Sequence, residues 1–155
     1  MNILSTQYTI SRRSLEIYLA GCKGVCGNHC IGCHNPETWN FNQGDEYNTD
    51  YLSKIQSKIF TFNNMIDNIE IFGGEPNDQN HNELKQILMD LKCFDKKVWL
   101  FTRYHFEDLP QFELELCDYI KCGEYIPNLK CNDNIQYGIQ LATSNQKIYK
   151  KGIDY

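Results

Sequence analysis

The feature that most limits how this chain can fold is a rhythm of short apolar runs alternating with helical stripes. "SLEIYLA" (14–20) alternates and carries Ile17 and Tyr18, which predicts a strand. "TDYLSKIQSKIF" (49–60) puts Leu52, Ile55 and Ile59 on one helical face, with Thr49 or Asp50 as the expected N-cap. "NIEIF" (68–72) reads as a second strand that ends at "GGEP". "HNELKQILMDL" (81–91) repeats Leu84, Ile87, Leu88 and Leu91, the stripe of a core-facing helix. "KKVWLFT" (96–102) is a third strand, "FEDLPQFELEL" (106–116) a short helix broken around Pro110, and "CDYIKCG" (117–123) a further strand. The tail from Tyr137 to Tyr149 predicts another strand and turn. Strand, helix, strand, helix, strand is the order of an α/β parallel sheet with crossover helices.

One connection breaks the rhythm. Elements in such folds are usually joined by about two to six residues. The segment after the first strand runs from Gly21 to about Asn48. A loop of that length in a compact domain is usually functional or disordered. In parallel α/β folds the chemistry gathers at the C-terminal ends of strands. "GGEP" and "FTRY" also follow strands directly, so three unusual segments are expected to meet on one face.

Composition narrows the function classes. The chain has 155 residues, which fits a single domain over 1–155 with a core of its own. Its net charge is −5, from 20 acidic and 15 basic side chains, with no basic stripe. That argues against nucleic acid as a partner, since phosphate binding needs a basic face. No run approaches the roughly 18 apolar residues of a membrane span. The opening "MNILSTQYTISRRS" lacks the apolar stretch of a secretory signal. A cytoplasmic setting is therefore expected, where thiols stay reduced. Eight cysteines in such a chain point to metal or redox chemistry.

Four of them lie close together in "CKGVCGNHCIGC": Cys22, Cys26, Cys30 and Cys33. Thiolates are the soft ligands preferred by zinc and by iron–sulfur clusters. Structural zinc sites usually pair two knuckles across a longer arm, and no second knuckle of matching form follows here. Cys26, Cys30 and Cys33, with gaps of three and two residues, form a compact three-thiolate set. Three thiolates hold three irons of a four-iron cube and leave the fourth open to a ligand. Gly27 and Gly32 let the backbone wrap closely.

This triplet resembles the signature of the radical S-adenosylmethionine (SAM) superfamily. "CIGCHNPETWNF", with Cys30, Cys33, Asn35 and Trp39, is more closely similar to the activating proteins of anaerobic ribonucleotide reductase. "IFGGEP" (71–76) matches that family's Gly-Gly-Glu-Pro. "WLFTRY" (99–104) resembles its Thr-Gly-Tyr segment, with Arg103 in place of the Gly. "CDYIKCGEYI" (117–126) and "ATSNQKI" (142–148) resemble its later elements. The resemblance implies an incomplete radical-SAM β/α barrel with a cluster loop at about 21–48. It implies a [4Fe-4S] cluster and SAM as cofactors, reductive cleavage of SAM, and a glycyl radical raised on the large reductase subunit. A flavodoxin or ferredoxin is the implied reductant.

The same resemblance leaves the first ligand open. The family's first cluster cysteine usually follows the first strand directly, where this chain has Cys22. Strict spacing favours Cys26 instead. Gly32, Cys33 and His34 are implied neighbours of the cofactor's adenine, and Gly73, Gly74 and Glu75 of its methionine amine. Thr102, at a strand end, is a candidate hydrogen-bond partner for ribose or carboxylate. Trp39 and Phe41 are expected to pack the loop down, His29 to be a polar loop residue, and Asn145 and Gln146 to shape the reductase-facing surface. Cys93, Cys117, Cys122 and Cys131 follow no metal spacing and read as small apolar residues. Two other readings use the same residues. One is radical chemistry on another glycyl-radical enzyme, a peptide or a small molecule. The other is a non-enzymatic zinc or iron–sulfur module, which leaves "GGEP" without a role.

Overall fold

The structure, a computed structural model, describes residues 1–33 and 35–155. His34 lies outside the described residues. Among the described residues there are nine strands: β1 (Asn2–Thr9), β2 (Ser14–Leu19), β3 (Asp45–Glu46), β4 (Asn68–Gly73), β5 (Lys97–Phe101), β6 (Tyr119–Cys122), β7 (Ile135–Gln136), β8 (Ile139–Gln140) and β9 (Lys147–Lys150). Seven form one sheet in the order β3-β1-β2-β4-β5-β6-β9, and β7 pairs with β8 in a separate hairpin. β2, β4, β5 and β6 are parallel, and they are the four strands the sequence rhythm predicts. β1 and β9 add antiparallel to either side of that core.

β1 was not expected from the sequence. Ile3 is its only residue that is fully buried, and its pairing with β2 shifts register between Ile3 and Ser5. A strand so lightly buried carries little alternating signal. The cap of the first helix also differs from expectation. Helix α1 (Thr49–Thr61) is capped by Asn48, whose Oδ1 accepts from the Asp50 and Tyr51 amides at 3.1 and 3.0 Å. Its buried face is Tyr51, Ile55 and Ile59, with Tyr51 taking the place expected of Leu52.

Helix α2 (His81–Lys92) buries Leu84, Ile87, Leu88 and Leu91 as the stripe predicts. Pro110 stands at the N-cap of α3 (Gln111–Leu116), behind a turn of 3-10 helix at Phe106–Asp108. Alternation along the strands splits the sheet into two faces. Leu15, Ile17, Leu19, Ile69, Ile71, Val98, Leu100 and Ile120 form one cluster with the buried faces of α1 and α2. The opposite face carries Glu16, Tyr18, Glu70, Phe72, Trp99, Phe101, Tyr119 and Lys121. Leu141 and Ile148 close over Trp99 there as a second, smaller cluster.

Candidate functional site

The loop that leaves β2 is pinned to the turn that leaves β4. Gly73 has φ of +99°, which favours glycine, and a Cβ there would meet Leu19 backbone at 2.3 Å. A Cβ on Gly74 would fall 1.9 Å from the Gly21 oxygen. The two glycines therefore let two backbones touch. The Gly74 amide donates to Leu19 at 2.9 Å and the Glu75 amide to Gly21 at 2.7 Å. The Gln79 side chain adds bonds to Ala20 and Gly21 oxygens at 3.1 and 3.0 Å. From the far end of the loop, Thr38 and Trp39 oxygens accept from the Gly21 and Cys22 amides.

Two adjoining cavities open above this junction. One, of about 210 Å³, is lined by Cys22, Cys30 and Cys33 together with Gly73, Gly74, Glu75 and Thr102. The other, of about 290 Å³, includes Gly32, Gly123, Tyr125 and Gln146. Neither reaches the roughly 300 Å³ at the small end of ligand sites. They share Cys30, Cys33, Asn35, Arg103 and Lys121, so they are chambers of one depression.

The structure thus brings three of the four clustered thiols together. Cys26 stays apart: it is exposed, lines neither cavity, and sits at φ of +50° in a tight turn bridged between Val25 and Asn28. Cys22 is half-buried, and its sulfur accepts from the Gly24 amide at 3.4 Å. Burial pushes the Cys22 and Cys30 thiols up from their ordinary range, while the Arg103 guanidinium pulls both back toward the thiolate. Three soft sulfurs on one chamber, with a cation facing them, fit a thiolate-held cluster. Among the described residues no three His, Cys, Asp or Glu groups converge closely enough for a single ion. A four-iron cube spreads its ligands more widely than a single ion does.

Glu75 is almost fully buried, and three hydrogen bonds from the chain itself fix its carboxyl. Oε1 accepts from the Thr102 hydroxyl at 2.5 Å and the Asn77 amide at 3.0 Å. Oε2 accepts from the Arg103 amide at 2.8 Å. Burial raises the Glu75 pKa, and these three bonds oppose the rise. Thr102 gives its one proton to Glu75, so it positions that carboxyl. Glu75 lines the chamber beside Gly73 and Gly74, and its Oε2, with one hydrogen bond, keeps an acceptor site toward a ligand.

Three further residues build the depression without having been assigned a place there from the sequence. Asp78 joins both loops: Oδ2 accepts from the Lys23 amide at 2.6 Å, and the Arg103 guanidinium lies 2.8 and 2.9 Å from its two oxygens. Arg103 also stacks over Tyr104. Its identity marked a departure in the sequence, and the departure proves to be an anchor. Lys121 projects inward from β6 between Ile120 and Cys122, both buried on the other face. Its ammonium donates to the Gly123 oxygen at 2.7 Å, and burial lowers its pKa to about 8. A lysine alternating with two apolar residues in "YIKC" was the available signal.

The remaining candidates fall into place around the depression. Trp39 stacks flat on His29 at 3.9 Å, and the Phe41 ring covers Gly21. Gln146 is buried: it donates to Gly123 and accepts from the Ala142 amide, tying the β7–β8 hairpin to β6 rather than facing outward. Asn145 is exposed and donates to Glu124. Cys117 and Cys122 are buried, Cys93 is exposed, and Cys131 is intermediate.

Comparison with known proteins gives the family. Residues 13–148 match the family described as a 4Fe-4S single cluster domain. An anaerobic ribonucleoside-triphosphate reductase-activating protein of Enterobacteria phage T4 is 32% identical over 118 residues, 70% of this chain and 74% of the relative. Its namesake from Escherichia coli K12 is 25% identical over 130 residues, 80% of this chain and 82% of the relative. That from Salmonella typhimurium is 25% identical over 111 residues, 68% and 72% of the two chains. No solved structure matches. With its cluster-domain match spanning most of its length and these relatives covering over two thirds of theirs, the chain belongs to the family of anaerobic ribonucleoside-triphosphate reductase-activating proteins.

Proposed function

We propose that this chain is a radical-SAM activase for an anaerobic (class III) ribonucleotide reductase, acting in the cytoplasm, on an incomplete radical-SAM barrel. The observation that carries the reading is the chamber where Cys22, Cys30 and Cys33 face Gly73, Gly74 and Glu75. Cys22, Cys30 and Cys33 are the proposed cluster ligands, and Cys26 the bystander. Held there, a reduced [4Fe-4S] cluster would supply the single electron that reductive cleavage of SAM requires, the chemistry by which a hydrogen atom would be drawn from a glycine of the reductase.

The chain's own residues do the rest. The Gly73 and Gly74 carbonyls receive the ammonium of SAM, and Lys121 with Arg103 supplies the positive charge its carboxylate needs. The second chamber, between Gly32 and Tyr125, has room for the nucleoside. The sheet's end strands, β3 and β9, are not paired to each other, which leaves a side through which a partner's glycine loop can enter. A flavodoxin or ferredoxin is the expected electron donor. Among the described residues no helix is long and apolar enough to cross a membrane.

The test is anaerobic reconstitution with iron and sulfide, reduction with dithionite, and addition of SAM. Formation of 5′-deoxyadenosine is expected, and its absence would sink the reading. An added class III reductase should then show a glycyl radical by electron paramagnetic resonance. Cofactor cleavage without that signal would move the target to another glycyl-radical enzyme, peptide or small molecule.

A further inference from the structure

Helix α3 places one carboxyl deep behind the site. Glu113 is fully buried. Its Oε2 accepts from the Asn77 amide group at 3.3 Å, while Oε1 is buried and has no partner. The same Asn77 nitrogen lies 3.4 Å from the Thr102 hydroxyl. The Asn77 backbone amide donates to Glu75, the carboxyl that Thr102 also bonds. A single side chain of α3 therefore ends a chain of contacts that reaches the thiol-lined chamber.

The groups around Glu113 leave it no counter-charge. Glu75 faces it from the turn after β4, the buried thiol Cys117 from the C-cap of its own helix, and the buried thiol Cys122 from the end of β6. From α2, the His81 ring meets Phe112 at 6.0 Å. Lys121, on the other face of β6, acts on Glu75 and on Cys122. A carboxylate at this place would be repelled by Glu75 and would lose its water at a high cost, whereas a neutral acid is not repelled and loses far less on burial. Burial accordingly pushes the Glu113 carboxyl up to about 8.

We propose that Glu113 works as a neutral acid, a positioning residue that orients Asn77 and thereby holds Glu75 and Thr102 beneath the chamber, so that losing its proton weakens cofactor capture. The part concerning capture rests on the SAM reading given above. The part concerning the proton does not.

Two measurements separate them. In the cluster-free chain, the thermal midpoint is followed from pH 5 to pH 9 for wild type and Glu113→Gln. The folded chain keeps a proton that the unfolded chain releases above the ordinary carboxyl range, so rising pH favours unfolding until the folded form itself ionises. The midpoint of wild type should fall relative to E113Q up to about pH 8, and the gap should then stop growing. Lys121 loses its proton near the same pH in wild type and in E113Q alike, so its contribution cancels in the comparison. If the amide variant does not fold, Glu113→Leu serves, since it removes the acid without leaving a buried amide. A gap that does not change with pH would overturn the proposal. In the cluster-loaded chain, SAM affinity should fall about tenfold further between pH 7 and pH 9 in wild type than in E113Q. Equal falls would overturn the positioning role. Failure of wild type to bind SAM at any pH would sink the activase reading, leaving the thermal profile to judge the proton.

Discussion

The two faces of the central sheet are built on opposite principles. On the helix-covered face, Leu15, Ile17, Ile69, Ile71, Val98 and Leu100 form one apolar cluster with the buried faces of α1 and α2. On the other face, the same strands carry carboxylates, aromatics and a lysine. Glu70 accepts from Arg12 at 2.7 Å, Glu16 accepts from Gln7 and Tyr18, and Arg12 covers Trp99 at 4.9 Å. Tyr18, Phe72 and Phe101 stack in a row that runs toward the chamber, which Phe101 lines. The first face carries the stability, since burying one large aliphatic side chain is worth about 1.5–3 kcal/mol. The second accepts costly buried charge in exchange for a site. Changes on the two faces should therefore separate stability from function.

The largest effect belongs to the loop above the second face. Cys22→Ala should lose the cluster, seen as iron per chain and as the visible absorption of the reconstituted protein. Cys26→Ala should keep both. The reverse result would move the first ligand to Cys26 and break the argument from the cavity. Neither change should shift the midpoint of the cluster-free chain greatly, because neither thiol belongs to the buried core.

Ile71→Ala tests the opposite face. The side chain is fully buried against the helices, so its loss should cost about 2–5 kcal/mol in denaturant unfolding. Cluster loading of the fraction that remains folded should be unchanged. A defect in iron binding beyond the loss of folded protein would show that the faces are not separable.

Lys121→Met crosses to the site side. Its ammonium has two donors left after Gly123, and a charge-assisted hydrogen bond is worth about 1.5–3 kcal/mol. SAM affinity should fall by roughly ten- to hundredfold. The sign of the pH effect follows from burial, which lowers the Lys121 pKa to about 8. The folded chain releases this proton before the unfolded chain does. Stability should therefore rise from about pH 8 into the ordinary lysine range, while SAM affinity falls over the same window. Made in the E113Q background, K121M should remove both trends. If the affinity trend survives in that double variant, the carboxylate of SAM lies elsewhere.

The two faces also differ in how much of each could be read from the sequence. The helix-covered face follows periodicity, and Leu84, Ile87, Leu88 and Leu91 were legible as they stand. The site was legible in its types of residue, but not in which ones meet. Spacing favoured Cys26, while the backbone bonds that hold Cys22 come from Trp39 and, through Lys23, from Asp78. Those contacts span 17 and 55 residues, and no local pattern reports them. Glu75 was legible as a motif residue, yet its neighbours Thr102, Asn77 and Arg103 turn it inward. β1 was missed because it is paired mainly through its backbone, which leaves little trace in side-chain pattern.

The smallest effect is also the cleanest test of separability. Asn48 caps α1 with one side-chain oxygen that serves two amides, and it stands at the end of the cluster loop. Asn48→Ala leaves those amides without their cap and should cost about 1 kcal/mol. Because α1 lies on the helix-covered face, the loss should appear in the unfolding midpoint alone. Iron content and SAM affinity should match wild type. The loop is held at its far end through Thr38 and Trp39, ten and nine residues before the cap, so fraying at α1 need not reach the thiols. A fall in iron content with Asn48→Ala would mean that α1 and the cluster loop move as one unit. The boundary between the stabilising face and the working one would then lie inside the loop rather than at the sheet.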